Sequence, residues 1–222
     1  MRLFPILILS LCLIPLSAFA QSQPVATVVK VEQTAYVERD GRAILLRRIS
    51  DLFSSDTVVT QETGLVLIRF GDDTRIAVGP NSRLEINNVV IRQRGPAEDF
   101  AITAVAGAFR FLSGDTPKET YALTTPVASI GVRGTVFDLH ATEDRADILL
   151  LQGRIRYCLR NGECSQLDAF CGIISAMRES GLTRPRTRAE RDAIIREYFP
   201  FVRNQNRLIR NFRQNVQRCG AE

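Results

Sequence analysis

The sequence predicts a mainly β protein: an antiparallel β-roll, a β-solenoid-like fold or a sandwich, carrying a C-terminal α-helical appendage. Three observations predict it. Between Val25 and Cys158 apolar residues recur with a period of two. Turn-forming residues interrupt that alternation at short intervals. Beyond Cys171 the pattern changes to one with helix signals. Many short strands between turns build such folds, whereas a parallel sheet wrapped by helices needs strands alternating with helical segments.

The first twenty residues lie outside that fold. Arg2 gives a positive start, Leu3 to Leu16 form an apolar run, and Ala18-Phe19-Ala20 places small residues where a signal peptidase cuts. The run is shorter than the roughly 20 apolar residues of a membrane span. Cys12 sits behind Leu11, where a lipidation site would carry a small residue, so lipidation is rejected. The expected organisation is a signal peptide at 1–20, a β domain at 21–165 and a disulfide-tied basic helical tail at 166–222. Export to the periplasm follows, with secretion or surface association as the alternative.

Along the β region, "VATVVKV" and "TAYVERDGRAILL" alternate, with Asp40-Gly41 as a hairpin signal. "GLVLIRFGDDTRIAV" gives strands Leu65–Phe70 and Arg75–Val78 around Gly71-Asp72-Asp73. Gly79-Pro80-Asn81 makes another turn, and "SRLEINNVVI" sets Leu84 and Ile86 on one face. Further strands are expected at 101–111, 121–123, 126–132, 135–140, 147–152 and 154–158, with turn-rich connections at 93–99 and 113–117. In the tail, Thr187 and Glu190 fit a capping box opening a helix to about Tyr198, which Pro200 stops or kinks. Beyond it Leu208, Phe212, Val216 and Cys219 recur at helical spacing, and Arg203, Arg207 and Arg210 form a second stripe.

After cleavage four cysteines remain: Cys158, Cys164, Cys171 and Cys219. An even number in an exported chain reads as disulfides. Zinc is disfavoured, because no C-x-x-C pair exists and the one histidine, His140, lies far off. Three pairings are possible, and spacing does not choose among them. The favoured one is Cys158–Cys164 within a hairpin and Cys171–Cys219 tying down the tail. A two-residue turn at Asn161-Gly162 would set Leu159, not Cys158, opposite Cys164, so that hairpin needs a bulge or a longer loop.

The net charge of +5, less one once Arg2 is removed, is mildly basic and does not imply nucleic acid. No catalytic constellation assembles. A Ser–His–Asp arrangement would depend wholly on His140, read as an ordinary surface residue. The acid pairs Asp72-Asp73 and Glu143-Asp144 sit in turns, where aspartate is common for backbone reasons. EF-hand spacing is absent. The expectation is no enzyme, no metal and no cofactor.

The stretch "TTPVASIGVRGTVFDL" at 124–139 carries the most information. Ala128, Ile130 and Val132 share one face, yet Phe137 and Leu139 take over as the bulky buried positions after Gly134. Such an inversion of parity needs a bulge or sharp bend. Gly134 suits the unusual backbone, Gly131 leaves room for a neighbour, Pro126 suits a strand start and Thr135 can satisfy loose backbone groups. Arg133 reads as an internal clamp on carbonyls or on Asp138 or Asp147, in preference to recognition of an acidic partner.

Together with "ADILLLQGRIRY", this stretch resembles the FecR-domain family. Thr125, Pro126, Ala128, Val132, Arg133, Gly134, Thr135 and Phe137 carry the likeness, as do Gly153 and Ile155. Upstream, Asp56, Val58, Thr60, Phe70, Asp72, Thr74, Ile76, Asn81, Ser82 and Leu84 carry a second block, so the resemblance spans about 25–158. Ser55 and Asp73 stand where the family usually has glycine, which predicts locally different turns. The best-known members place a cytoplasmic anti-sigma segment and a membrane helix before this domain. With neither ahead of the signal peptide, a stand-alone exported domain is expected. The resemblance implies a non-catalytic protein-binding and sensory module whose partner is an envelope protein such as a sensor, transporter or regulator. The alternative is a structural envelope component meeting anionic lipid or the cell wall through Arg203, Arg207 and Arg210. Packing of the tail on the β domain is favoured over that contact.

Overall fold

A computed structural model describes residues 23–91, 95–117, 120–214 and 219. The signal-peptide reading of 1–20 lies outside the described residues, as do Gln93 and Val216. The described residues are mainly β, with the α-helices confined to the C-terminal region.

Fifteen strands are formed among the described residues. They are β1 (Ala26–Glu32), β2 (Ala35–Arg39), β3 (Arg42–Leu45), β4 (Asp51–Leu52), β5 (Thr57–Thr60), β6 (Leu65–Phe70), β7 (Arg75–Val78) and β8 (Arg83–Val90). There follow β9 (Asp99–Leu112), β10 (Tyr121–Thr124), β11 (Ala128–Ala141), β12 (Arg145–Leu159), β13 (Cys164–Leu167), β14 (Ile173–Met177) and β15 (Gly181–Thr183). The registers divide them into two half-sheets. One runs β3-β2-β5-β8-β9-β10-β11-β12-β13, using the first halves of β9 and β11 and the second half of β12. The other runs β4-β1-β6-β7-β9-β11-β12-β14-β15, using the remaining halves.

Three strands therefore belong to both half-sheets, and each inverts its parity where it crosses. In β9 the core side passes from Phe100, Ile102 and Ala104 to Phe109 and Phe111. In β11 it passes from Ala128, Ile130 and Val132 to Phe137, Leu139 and Ala141. In β12 it passes from Ala146, Ile148 and Leu150 to Ile155 and Tyr157. At each crossing stands a glycine with positive φ: Gly107 at 101°, Gly134 at 58° and Gly153 at 85°. The β11–β12 register slips between Arg133 and Val136 and again between Val136 and Phe137, which is a bulge on each strand. The separate segments expected at 126–132 and 135–140, and at 147–152 and 154–158, are thus single bent strands.

One pairing departs from the antiparallel expectation: β10 runs parallel to β9. Because β9 ends in the other half-sheet, the chain must return through 113–120 and re-enter beside the start of β9 in the same direction.

The inner faces of the two half-sheets enclose one apolar core. The second half-sheet also buries its outer face. Leu65, Leu67, Ala77, Leu112, Leu149, Leu151 and Ile173 point away from the first core and are covered by Ile195, Phe199, Phe201, Leu208 and Phe212. That double burial explains the continuous apolar run of β6, which a half-exposed strand would not need.

The covering segment begins later than expected. Strands β13, β14 and β15 continue the sheet past residue 165, and the first helix, α1, spans Arg188–Tyr198. Its start is the expected capping box: the Thr187 side chain accepts from the Glu190 amide, and the Glu190 side chain accepts from the Thr187 amide. α2 is a single turn, Pro200–Arg203, followed by two 3-10 turns, Gln205–Arg207 and Arg210–Phe212. Among the described residues beyond Arg203 no continuous helix forms; Leu208 and Phe212 each pack onto the sheet from a turn.

The crossing glycines are separable by mutation. An added Cβ at Gly134 meets nothing within 4 Å, so Gly134→Ala is expected to cost only the left-handed backbone term of about 1–2 kcal/mol. At Gly107 a Cβ would fall 2.1 Å from Ser82 Oγ and 2.5 Å from its Cα. Gly107→Ala is expected to exceed about 4 kcal/mol by denaturant unfolding, the range of a severe packing defect.

Candidate functional site

The motif at 124–139 is built as a corner. The Thr125 hydroxyl accepts from the Ala128 amide at 3.0 Å and donates to the Ala128 carbonyl at 3.1 Å, closing a turn over Pro126 and Val127. Arg160 Nε donates to the Pro126 carbonyl at 2.9 Å. Ala128, Val132 and Phe137 enter the core. Gly131 is exposed, and a Cβ there would make only ordinary contact with Arg156 at 3.6 Å, so the expected need for room is not met. Thr135 differs too. Ser113 satisfies its backbone, through Thr135 N–H to Ser113 Oγ and Ser113 N–H to the Thr135 carbonyl. The buried Thr135 hydroxyl has no partner among the described residues. The Arg133 side chain lies outside what is described. Both acids expected as its partners are engaged by other arginines.

Asp138 pairs with Arg110, directly opposite it across β9 and β11. The contact is bidentate, Nε to Oδ1 at 2.6 Å and Nη2 to Oδ2 at 2.8 Å, with both side chains at most 1% exposed. The tail seals it: Gln205 Oε1 accepts from Arg110 Nη1 at 3.1 Å, and the guanidinium lies 5.8 Å from the Phe201 ring centroid. Burial pushes the Asp138 carboxyl up while Arg110 pulls it down.

Asp147 is fully buried and accepts from Arg145 and from the Ser175 hydroxyl. Burial opposes its ionisation, yet these donors, with His140 close by, hold its carboxyl below the usual range. His140 is not the surface residue expected. Its ring stacks on Tyr198 at 4.5 Å, and Nδ1 stands 3.9 Å from Asp147 Oδ2. A Ser–His–Asp relay needs the serine on the histidine. Here the buried Ser175 donates to the aspartate, so these three side chains do not form such a relay.

A third polar centre was missed from sequence. The buried carboxylate of Asp72 accepts from the hydroxyls of Thr74, Thr116 and Tyr121 and from the Thr74 amide. Burial pushes the Tyr121 hydroxyl up to about 12, which keeps it a donor. Tyr121 also accepts from the Gly114 amide, so this hub fixes the turn after β6 to the crossover loop. Asp56 plays a similar part, taking both donors of Arg39 at 2.6 Å and the Phe53 amide at 2.8 Å.

The disulfides are Cys158–Cys164 and Cys171–Cys219. The hairpin difficulty is solved by a three-residue loop, 160–162, with Gly162 at φ 90°, which brings Cys158 opposite Cys164.

Two of the three stripe arginines are engaged within the chain. Arg203 Nη1 donates to the Arg196 carbonyl at 2.9 Å. Arg207 binds Glu32 at 2.8 Å and the Thr63 carbonyl at 2.7 Å. Arg210 remains exposed. In the other direction Lys30 and Arg75 donate to carbonyls of Arg207 and Asn211, pinning the tail.

Among the described residues no group of three or more His, Cys, Asp and Glu side chains could hold a metal ion, and no helix is long and apolar enough to cross a membrane.

Residues 56–156 match a family model described as FecR protein. Over these residues the chain is similar to the FecR family. No curated protein matches it. Two crystal structures of a protein assigned as an anti-sigma factor from Parabacteroides distasonis are similar to it. They share 11% and 12% identity, with TM-scores of 0.46 and 0.45. The match covers 58% of this chain and 58% of theirs. A structure described as a cell surface anchoring domain shares 26% identity over 29% of this chain and 87% of its own, with a TM-score of 0.29.

Within the matched segment the motif positions hold structural posts: Asp56, Asp72 and Ser82 anchor turns, and Gly134 makes a crossing. The two departures from glycine keep a glycine-like backbone, with Ser55 at φ 71° and Asp73 at φ 64°.

Two outcomes follow. The Ser55 side chain is exposed, so Ser55→Gly is expected to leave stability unchanged or raise it by up to about 1 kcal/mol, while Ser55→Val lowers it by about 1–2 kcal/mol. Arg110→Met strands a buried carboxylate and is expected to cost about 3–5 kcal/mol at pH 8. In that variant the folded pKa of Asp138 lies above its unfolded value. The proton-bound form is therefore stabilised below about pH 4 and that stability is lost as pH rises. The deficit relative to wild type should shrink between pH 8 and pH 5 in urea titrations.

Proposed function

We propose that the chain is an exported, non-catalytic protein-binding and sensory-regulatory module of the cell envelope, working by contact with another envelope protein. The FecR match over 56–156 carries this reading. Three buried carboxylates are each taken up by internal partners, in support of this reading: Asp72 by three hydroxyls, Asp138 by Arg110, and Asp147 by Arg145 and Ser175. Two disulfides suit an oxidising compartment such as the periplasm. We read the architecture as a sandwich of two half-sheets joined at the glycine crossings. The unit that folds together then reaches through the tail, beyond the boundary at 165. The basic-tail alternative is weakened, because Arg203 and Arg207 are spent on internal carbonyls and on Glu32.

Crosslinking of the full chain in the intact envelope of its own cell is the direct test. One dominant protein partner is the expected product. Recovery of lipid or cell-wall material alone would overturn the reading.

A further inference from the structure

The outer edge of the first half-sheet is β3, which among the described residues pairs with β2 alone. The hairpin turns through Asp40 at φ 50° and Gly41 at φ 72°, a two-residue loop of the type that matches strand twist. In that register Arg39–Arg42 and Val37–Ile44 are the hydrogen-bonded pairs, so Ala43 and Leu45 turn their N–H and C=O groups outward. Natural sheets usually blunt such an edge with charge, proline or a covering segment. Here every residue of β3 is exposed, with Ile44 at 44% and Leu45 at 54%.

Just beyond stands Ile49, 78% exposed at φ 63°. A β-branched residue in the left-handed region is strained by about 1–2 kcal/mol. The turn holding it is over-determined. Ile49 N–H donates to the Val28 carbonyl at 2.8 Å, Val28 N–H to the Ser50 carbonyl at 2.9 Å and Ser50 N–H to the Arg47 carbonyl at 3.1 Å. Ser50 Oγ also accepts from the Arg47 amide at 3.0 Å. The fold thus spends backbone strain to display an apolar side chain to solvent.

Cations predominate at this edge. Asp40 and Asp51 bound the stretch, and between them Arg42, Arg47 and Arg48 are exposed, with no carboxylate partner among the described residues. The inner strand differs: Glu38 is clamped by Arg83 at 2.6 and 3.0 Å, and Arg39 by Asp56. A firmly held hairpin therefore offers open backbone groups, three apolar side chains and three free guanidinium groups. We propose that β3 and the turn 47–50 dock an extended, acidic segment of a partner protein as an added strand. A second copy of this chain is disfavoured, because edge-to-edge pairing would set two triads of arginine against each other. The proposal rests on the partner-binding reading above and names the surface that performs it.

The test uses the full chain, labelled with 15N, and two eight-residue peptides, one alternating glutamate and valine, the other lysine and valine. The glutamate peptide is expected to shift resonances of residues 42–50. Arg47→Glu/Arg48→Glu should weaken it at least tenfold. Ala43→Pro, which removes one outward N–H and leaves the hairpin's own bonds intact, should abolish it. Ile49→Gly serves as a second variant, expected to fold with equal or higher melting temperature yet bind at least fivefold more weakly. Equal binding of the lysine peptide, no binding of the glutamate peptide, or unchanged affinity in Ile49→Gly would overturn the proposal. Photocrosslinkers at Ile49, Thr103 and Arg210 in the intact envelope separate the two levels. A partner captured only from Thr103 or Arg210, or a second copy captured from Ile49, sinks the edge and spares the module. No protein captured from any position sinks the module itself.

Discussion

Three long strands must each serve two layers, and that requirement governs the rest of the molecule. A strand can leave one layer for another only by inverting which of its faces is apolar, and each inversion needs a residue in backbone territory that side chains avoid. Gly107, Gly134 and Gly153 supply it. Because β9, β11 and β12 are neighbours, their bends fall beside one another, and the layers they join close over a common core. The hub at Asp72 and the contact of Ser82 with Gly107 are local reinforcements of these crossings.

The second layer then faces a problem the first does not, since its outer surface is also apolar. The C-terminal segment resolves it by laying aromatic and aliphatic side chains over the sheet, while body cations Lys30 and Arg75 satisfy its loose carbonyls. Beneath it lies the Arg110–Asp138 pair, a bidentate contact between ions that could not be left bare in so apolar a place. Among the described residues the first layer has no such cover on its outer face. Function, on the reading favoured above, belongs to the side left open.

Much of this was readable before any coordinates, and the reasons differ by residue. The parity switch around Gly134 is a local property of sixteen residues, so it could be read directly. The capping box at Thr187 and the twin strands around Asp72 are likewise local. What escaped depends on distant register. Arg110 finds Asp138 only because β9 and β11 lie side by side, and no spacing along the chain announces that. His140 was placed on the surface because its stacking partner Tyr198 arrives from a helix far along the chain. The strands after residue 165 are short and interrupted by polar residues, so their alternation is faint. The apolar "AILL" of β3 reads like any inward strand, and only the absence of a further neighbour exposes it.

One bond bears on how the protein matures. Cys219 joins Cys171 across a separation of 48 residues, a loop whose closure restricts the unfolded chain by about 4 kcal/mol. The outer core is thus locked by a cysteine that emerges 48 residues after its partner during synthesis. A chain made amino end first can assemble its two layers early, yet its apolar back stays bare until Cys219 has emerged and been oxidised.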